Sequence, residues 1–233
     1  MYVIQKNINR LRNGTYTFFL DPKEQKEMIS KLKKNEYKIY KPYKDSEKNI
    51  LYKDRFPEVL LYEIKIKTPV RHQDILGSIY SLNIDGGLFG DVLIIDGHYY
   101  VYILSMLRNY FESNFLMVKN SYIELIELDV DAFKDYERSY EEIDLIVSSE
   151  RIDTIVSSII HSGRNRIKDL IKDKSIMLNY DYLKDSSYKL KEDDTFSIKK
   201  IGKFKYMGIV NKTKSNHLVI KIYKYVWFVL KNE

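Results

Sequence analysis

Residues 149–179 read SERIDTIVSSIIHSGRNRIKDLIKDKSIMLN, and this pattern decides the fold of the C-terminal third. Ile152, Ile155, Val156, Ile159 and Ile160 recur at i, i+3, i+4, i+7 and i+8, which puts one buried stripe on a helix. Ser149 is placed to cap that helix and Ser162-Gly163 to break it. A second helix follows with Ile167, Leu170 and Ile171 on its inner face, and residues 175–178 read as a strand. Arg164, Lys168 and Lys172 are spaced by four, so they form a column beside the apolar stripe, with Arg166 flanking it. By helical angle Asp169 and Asp173 point away from the column. A row of cations on a packed helix can meet successive phosphates of a nucleic acid. The plainer alternative is a solvated helix face, which most such runs are.

The rest of the composition narrows the function classes. At 233 residues and 44% hydrophobic content the chain is long and apolar enough for two or three small folded domains. It has no cysteine, which removes disulfides, thiolate zinc sites and cysteine nucleophiles. No apolar run approaches the ~20 residues of a membrane span, and the first residues, MYVIQKNINRLRNG, lack the apolar core of a signal peptide. These features lead us to expect a soluble cytoplasmic monomer that does not engage a membrane. The net charge of +6 is uneven: residues 1–57 carry +7, residues 58–150 carry −10 and residues 151–233 carry +9. The basic footprint is therefore at the two ends, and an acidic middle would be repelled by a phosphate backbone.

Periodicity along the chain predicts an α+β protein. Residues 1–57 form a small α+β segment, in which Asp21-Pro22-Lys23-Glu24 carries the cap, first-position proline and capping-box acid of a helix start. Residues 58–128 read β-α-β-β-α-β: a strand over 59–67, a helix from Pro69, strands over 91–95 and 98–104 joined by Asp96-Gly97, a helix through Leu107, Tyr110, Phe111 and Phe115, and a strand over 121–128. That order is the ferredoxin-like arrangement shared by RNA recognition motifs. His98, Tyr100 and Tyr102 share one face of the third strand, where such motifs stack bases; packing or protein contact is the favoured role for them here. Residues 129–147 read as an acidic linker, partly helical at most, and residues 148–233 as a second module with a C-terminal strand extension ending in the aromatic run 223–228. The four histidines, His72, His98, His161 and His217, show no ligand spacing, and no phosphate-binding loop or activated nucleophile is present, so neither cofactor nor metal is expected.

Arg151-Ile152-Asp153, the basic helix over 164–172 with Leu170-Ile171, the strand ending at Asn179 and Asp194-Thr195-Phe196-Ser197-Ile198 resemble the S-four RNA-binding module, named for a small-subunit ribosomal protein. Phe19-Leu20-Asp21-Pro22-Lys23-Glu24-Gln25, His72, Leu76-Gly77-Ser78, Ser81-Leu82 and Phe89-Gly90-Asp91 extend the resemblance over most of the chain to the YlmH family of bacterial proteins. The resemblance implies an RNA-binding factor of the translation machinery whose partners are ribosomal RNA, tRNA and the large ribosomal subunit, with relatives linked to rescue of stalled nascent chains. The chain departs from the family pattern at Gly163, where serine is usual, and at Lys174, where glycine is usual, so that turn is expected to differ. Gln73 and Asp85-Gly86-Gly87 also replace more basic residues.

The leading expectation is therefore a non-enzymatic RNA-binding protein. Its contacts would be Arg151, Arg164, Arg166, Lys168, Lys172 and Lys174, extended by Lys199, Lys200, Lys203, Lys212 and Lys214. The alternative is a protein-interaction adaptor linked to cell division that uses the acidic stretch 124–150. RNA modification is a distant third. Pseudouridine synthases that carry an S-four module have an Arg-Leu-Asp catalytic motif, but Asp153 lies inside a regular amphipathic helix and is expected to face the helix N-terminus or pair with a nearby arginine.

Overall fold

The computed structural model describes residues 2–226, which fall into two compact units, one up to residue 137 and one over 138–226. Trp227 and Phe228, the end of the expected aromatic run, lie outside the described residues.

The first unit begins with α1 (Tyr2–Arg12), α2 (Pro22–Ile29) and a two-stranded ladder of β1 (Lys38–Tyr40) and β2 (Ile50–Tyr52). Helix α2 starts as its sequence dictates: the Glu24 N–H donates to Asp21 Oδ1 at 2.7 Å and the Asp21 N–H to Glu24 Oε2 at 3.0 Å. There follow β3 (Val59–Ile66), α3 (His72–Ser81), β4 (Phe89–Ile95), β5 (His98–Leu104), α4 (Arg108–Asn114), β6 (Met117–Val118) and β7 (Ser121–Leu128). The sheet runs β4-β5-β3-β7-β6, which is the ferredoxin-like order with β6 as an added edge strand. Asp96 and Gly97, with φ of 50° and 80°, close the hairpin that pairs Ile95 with His98. Helix α3 starts later than Pro69 because the Arg71 N–H and guanidinium both bond the Asp74 carboxylate, at 2.9 to 3.1 Å.

Both faces of this sheet are covered. Tyr62 and Ile64 of β3 meet Ile75, Ile79, Phe111 and Phe115 on the helix side. Val59 and Leu61 point the other way, with Leu93, Tyr102 and Leu104. Tyr16, Phe19, Tyr43 and Ile50 close that second face, with Phe133 and Tyr136 packed beside them. Residues 1–57 are thus half of a core rather than a separate segment: an apolar sheet face cannot be left in water at this size. Gly90 lets the chain come close, since a Cβ there would stand 2.9 Å from the Phe19 ring and 3.2 Å from Tyr102 Cβ. Tyr102 is fully buried and stacks on Tyr43 with ring centroids 6.1 Å apart, and Tyr100 meets Phe133 at 4.5 Å. The aromatic strand therefore packs against protein, and of its three rings His98 is the exposed one. The Tyr102 hydroxyl is buried without a hydrogen-bond partner among the described residues. Tyr102→Phe is expected to leave stability unchanged or raise it by up to about 1 kcal/mol; a chemical-denaturation midpoint that falls would contradict this.

In the second unit β8 (Tyr140–Val147), α5 (Ile152–Ile160), α6 (Arg164–Lys172), β9 (Ile176–Leu178), β10 (Asp181–Tyr182), β11 (Thr195–Ile198), β12 (Gly202–Lys212) and β13 (Leu218–Tyr225) form a sheet of order β10-β9-β11-β12-β13-β8 with both helices on one face. Here the structure differs from the expected linker over 129–147. Residues 140–147 are a strand, paired in register with β13 from Leu218↔Val147 to Tyr225↔Tyr140. Ile143, Leu145 and Val147 alternate onto the core, while Glu142 bonds Lys221 at 2.7 Å and Glu141 bonds Lys224 at 2.8 Å. Glu141, Glu142 and Asp144 continue the acidic run before them and mask the period of two. The stretch 129–136 packs as well, through Val130, Phe133 and Tyr136. Ile152, Ile155 and Val156 of α5 and Ile167 of α6 are fully buried against Ile176, Phe196, Ile198, Phe204, Tyr206, Ile220 and Ile222. Among the described residues no helix is long and apolar enough to cross a membrane.

Candidate nucleic-acid interface

Arg151 occupies the N-cap of α5, and its guanidinium bonds the Asp153 carboxylate at 3.1 and 2.7 Å. Asp153 is buried, and the arginine holds its carboxyl below the usual range against the opposing effect of burial. The expected pairing of Asp153 with a nearby arginine is thus present. Ser149 does not cap the helix; its hydroxyl meets that of Thr154 at 3.2 Å. The sign of the Arg151–Asp153 contribution follows from the depressed carboxyl: it stabilises above the unfolded pKa of about 4 and is lost as pH falls through the folded value. Arg151→Ala is therefore expected to lower the melting temperature at pH 7, with the gap to the parent narrowing in acid as Asp153 protonates. Equal melting temperatures at pH 7 would show that the pair braces nothing.

Helix α6 rests on Ile167, with Leu170 and Ile171 half-buried, and exposes Arg166, Lys168 and Lys172. The side chain of Arg164, the first residue of the column, is not among those described. Gly163 serves as the N-cap with φ −72° and ψ 164°, and a Cβ there would meet nothing within 4 Å, so the departure from serine costs only the side-chain cap. The turn after α6 keeps the left-handed conformation that glycine favours, contrary to the expected change. Lys174 itself takes the left-handed conformation, φ 51°, while the Ser175 N–H bonds the Leu170 carbonyl at 2.8 Å and the Lys174 N–H that of Ile171 at 3.0 Å. That pair of bonds ends a helix whichever residue stands at the left-handed position.

This turn brings distant lysines together. The Lys199 N–H bonds the Ser175 carbonyl at 2.8 Å, so the β11–β12 turn with Lys199 and Lys200 lies directly beside the end of α6. Lys168, Lys172, Lys174, Lys199 and Lys200 are all exposed. Three other expected contacts lie elsewhere. Lys203 sits on the face of β12 opposite the helices, its ammonium 4.7 Å from the Tyr180 ring and 4.9 Å from that of Tyr225. Lys212 and Lys214 are at the far end of the eleven-residue β12, roughly 30 Å from Gly202. His161, exposed and left-handed at φ 50°, ends α5. Sequence reasoning missed Tyr182, whose ring is 51% exposed on edge strand β10 and lies 5.7 Å beneath the Lys174 ammonium. A two-residue strand has no periodicity to reveal it.

Charge is sorted across the sheet. The cations above gather at the α6, β9 and β11 side, whereas the outer strand at the other edge, β8, carries Glu141, Glu142 and Asp144. Over 138–226 there are 18 Lys/Arg against 12 Asp/Glu, a net +6 that is more modest than the C-terminal third alone suggests.

Residues 56–132, the ferredoxin-like sheet, match the family model described as "Putative RNA-binding domain in YlmH". The chain is also 22% identical over 168 residues to the ribosome-associated protein quality control protein P2 of Bacillus subtilis, over 72% of this chain and 61% of that protein. The middle sheet thus matches the RNA-binding domain of YlmH proteins. Among solved structures, the cell division protein ylmH from Streptococcus pneumoniae is similar at 21% identity and a TM-score of 0.45, over 57% of this chain and 90% of that one.

The residues that carry the resemblance are mostly braces. Asp91 accepts from the Tyr43 hydroxyl at 2.6 Å and the Glu47 N–H at 2.8 Å. The Lys48 ammonium donates to the carbonyls of Gly86 and Phe89 at 2.7 and 3.1 Å, and burial pushes its pKa down. Gly87 accepts from the Phe19 N–H at 2.8 Å, so the loop at Asp85-Gly86-Gly87 is part of the dock. Asn179 bonds Asp194 Oδ1 at 2.7 Å and accepts from the Thr195 N–H at 2.9 Å, which joins the two motif strands of the second unit.

Proposed function

We propose that this protein is a non-enzymatic RNA-binding factor of the cytoplasm that acts as a monomer on the large ribosomal subunit and tRNA, in rescue or quality control of stalled translation. One observation carries the reading: exposed lysines of α6, its C-terminal turn and the β11–β12 turn gather at one end of the sheet. Such a one-sided field orients a protein on a phosphate backbone and steers its approach. Two helices and a sheet presenting that surface are what an S-four-type module requires, and the name of the Bacillus subtilis relative points to the same machinery. The adaptor reading draws less support, because the acids of 124–150 are spread over β7, β8 and the stretches beside them rather than gathered on one element. Glu127, Glu141 and Glu142 are moreover already paired with Arg108, Lys224 and Lys221. Crosslinking the full chain to ribosomes and sequencing the attached RNA tests the proposal. Crosslinks concentrated in large-subunit RNA and tRNA are expected; crosslinks spread evenly, or confined to the small subunit, would refute it.

A further inference from the structure

The basic N-terminal segment has no part in the interface above. In its β1–β2 ladder Tyr52 pairs with Lys38, and Tyr16 forms a bridge to Tyr52, so these side chains share a face. Phe56 is 59% exposed and meets the rings of Tyr40 and Tyr52 edge-on at 5.2 and 5.3 Å. The Lys38 ammonium lies 5.9 Å from the Tyr52 ring, and the Arg10 guanidinium is 5.7 Å from Tyr16 and 4.6 Å from Phe18. Lys38 and Lys53 are exposed, and neither has a carboxylate within ion-pair distance among the described residues. Of the nearby acids, Glu58 holds Arg55 and the Ser105 hydroxyl, Asp54 lies against Gly14, and Asp131 lies near Tyr40.

A single exposed phenylalanine is ordinary. Three touching rings flanked by unpaired cations are a different surface: bases stack on the rings and phosphates meet the cations, without need of sequence-specific bonds. The sheet face that an RNA recognition motif would use is filled here by Tyr43, Phe19 and Tyr16, so a stacking surface can exist only outside it. We propose that Phe56, with Tyr40 and Tyr52, is a base-stacking platform for single-stranded RNA, and that Lys38 and Lys53 supply its phosphate contacts. The inference rests on the RNA-binding reading above but places a second contact in the other unit.

The test titrates the full chain with a labelled twelve-residue oligouridylate and, separately, with a hairpin of large-subunit RNA. Phe56→Ala, which leaves the melting curve in place, is expected to weaken oligouridylate binding by roughly ten-fold. Lys38→Glu with Lys53→Glu is expected to weaken it too and to reduce the log–log salt slope by roughly one to two. Lys168→Glu with Lys172→Glu should weaken hairpin binding while the effect of Phe56→Ala on oligouridylate persists. Unchanged oligouridylate affinity in Phe56→Ala, with hairpin binding intact, overturns this proposal alone; loss of both RNAs by the parent chain overturns the functional reading as well. An acidic peptide bound as tightly as the RNA, with the same dependence on Phe56, would assign the platform to a protein partner and overturn it also.

Discussion

Changing Lys168, Lys172 and Lys199 together to Glu is expected to cut affinity for large-subunit RNA by roughly 10²-fold or more near physiological salt. The parent's log–log salt slope should become shallower by about two to three, since each phosphate contact contributes about 0.9. All three side chains are exposed, so the melting temperature should hardly move. They come from two places 27 residues apart in the sequence, Lys172 and Lys199, that the Ser175–Lys199 bond brings side by side. Lys212→Glu with Lys214→Glu provides the contrast, because those side chains stand at the far end of β12. Their reversal should weaken binding by less than about ten-fold through the long-range field alone, and more at low salt than at high. Equal losses from both sets, measured by co-sedimentation with ribosomes across a salt series, would show that the interface is not the α6 end.

Tyr43→Ala is expected to be the most damaging single change to the first unit, at about 3–5 kcal/mol. The ring is buried, stacks on Tyr102 at 6.1 Å and meets Tyr136 at 5.7 Å. Removing it leaves a cavity between the N-terminal segment and the sheet, and it takes from Asp91 one of its hydrogen bonds. Tyr43→Phe separates the two effects: it keeps the packing and loses the bond, for a cost of about 1–2 kcal/mol. A urea titration in which Ala and Phe cost the same would show that the hydroxyl, not the ring, holds the dock. The loss should also expose Tyr102, Leu61 and Leu93, so the Ala variant is expected to aggregate on warming.

Much of the fold was legible in the sequence because local chemistry and periodicity agree there. The box at Asp21 and Glu24, the turn at Asp96-Gly97 and the isoleucine stripe of α5 each rest on contacts within a few residues. The strand at 140–147 reads as linker because Glu141, Glu142 and Asp144 continue the acidic run before them, and only its partner β13, some 78 residues away, neutralises Glu141 and Glu142. Lys174 was expected to change its turn because lysine disfavours positive φ, yet two backbone hydrogen bonds hold it there.

The candidate site divides the same way. Periodicity alone determined that Arg166, Lys168 and Lys172 lie outward on a packed helix, since an amphipathic pattern fixes which face is buried. Whether other cations join them is a matter of strand order and register, which one chain's pattern does not encode. Tertiary structure brought in Lys174, Lys199, Lys200 and Tyr182, sent Lys203 to the opposite face and Lys212 and Lys214 to the far end, and bound Arg151 to Asp153. It also closed the aromatic face of the middle sheet, because the apolar side chains of β3, β4 and β5 had to leave water and the N-terminal segment supplied the cover.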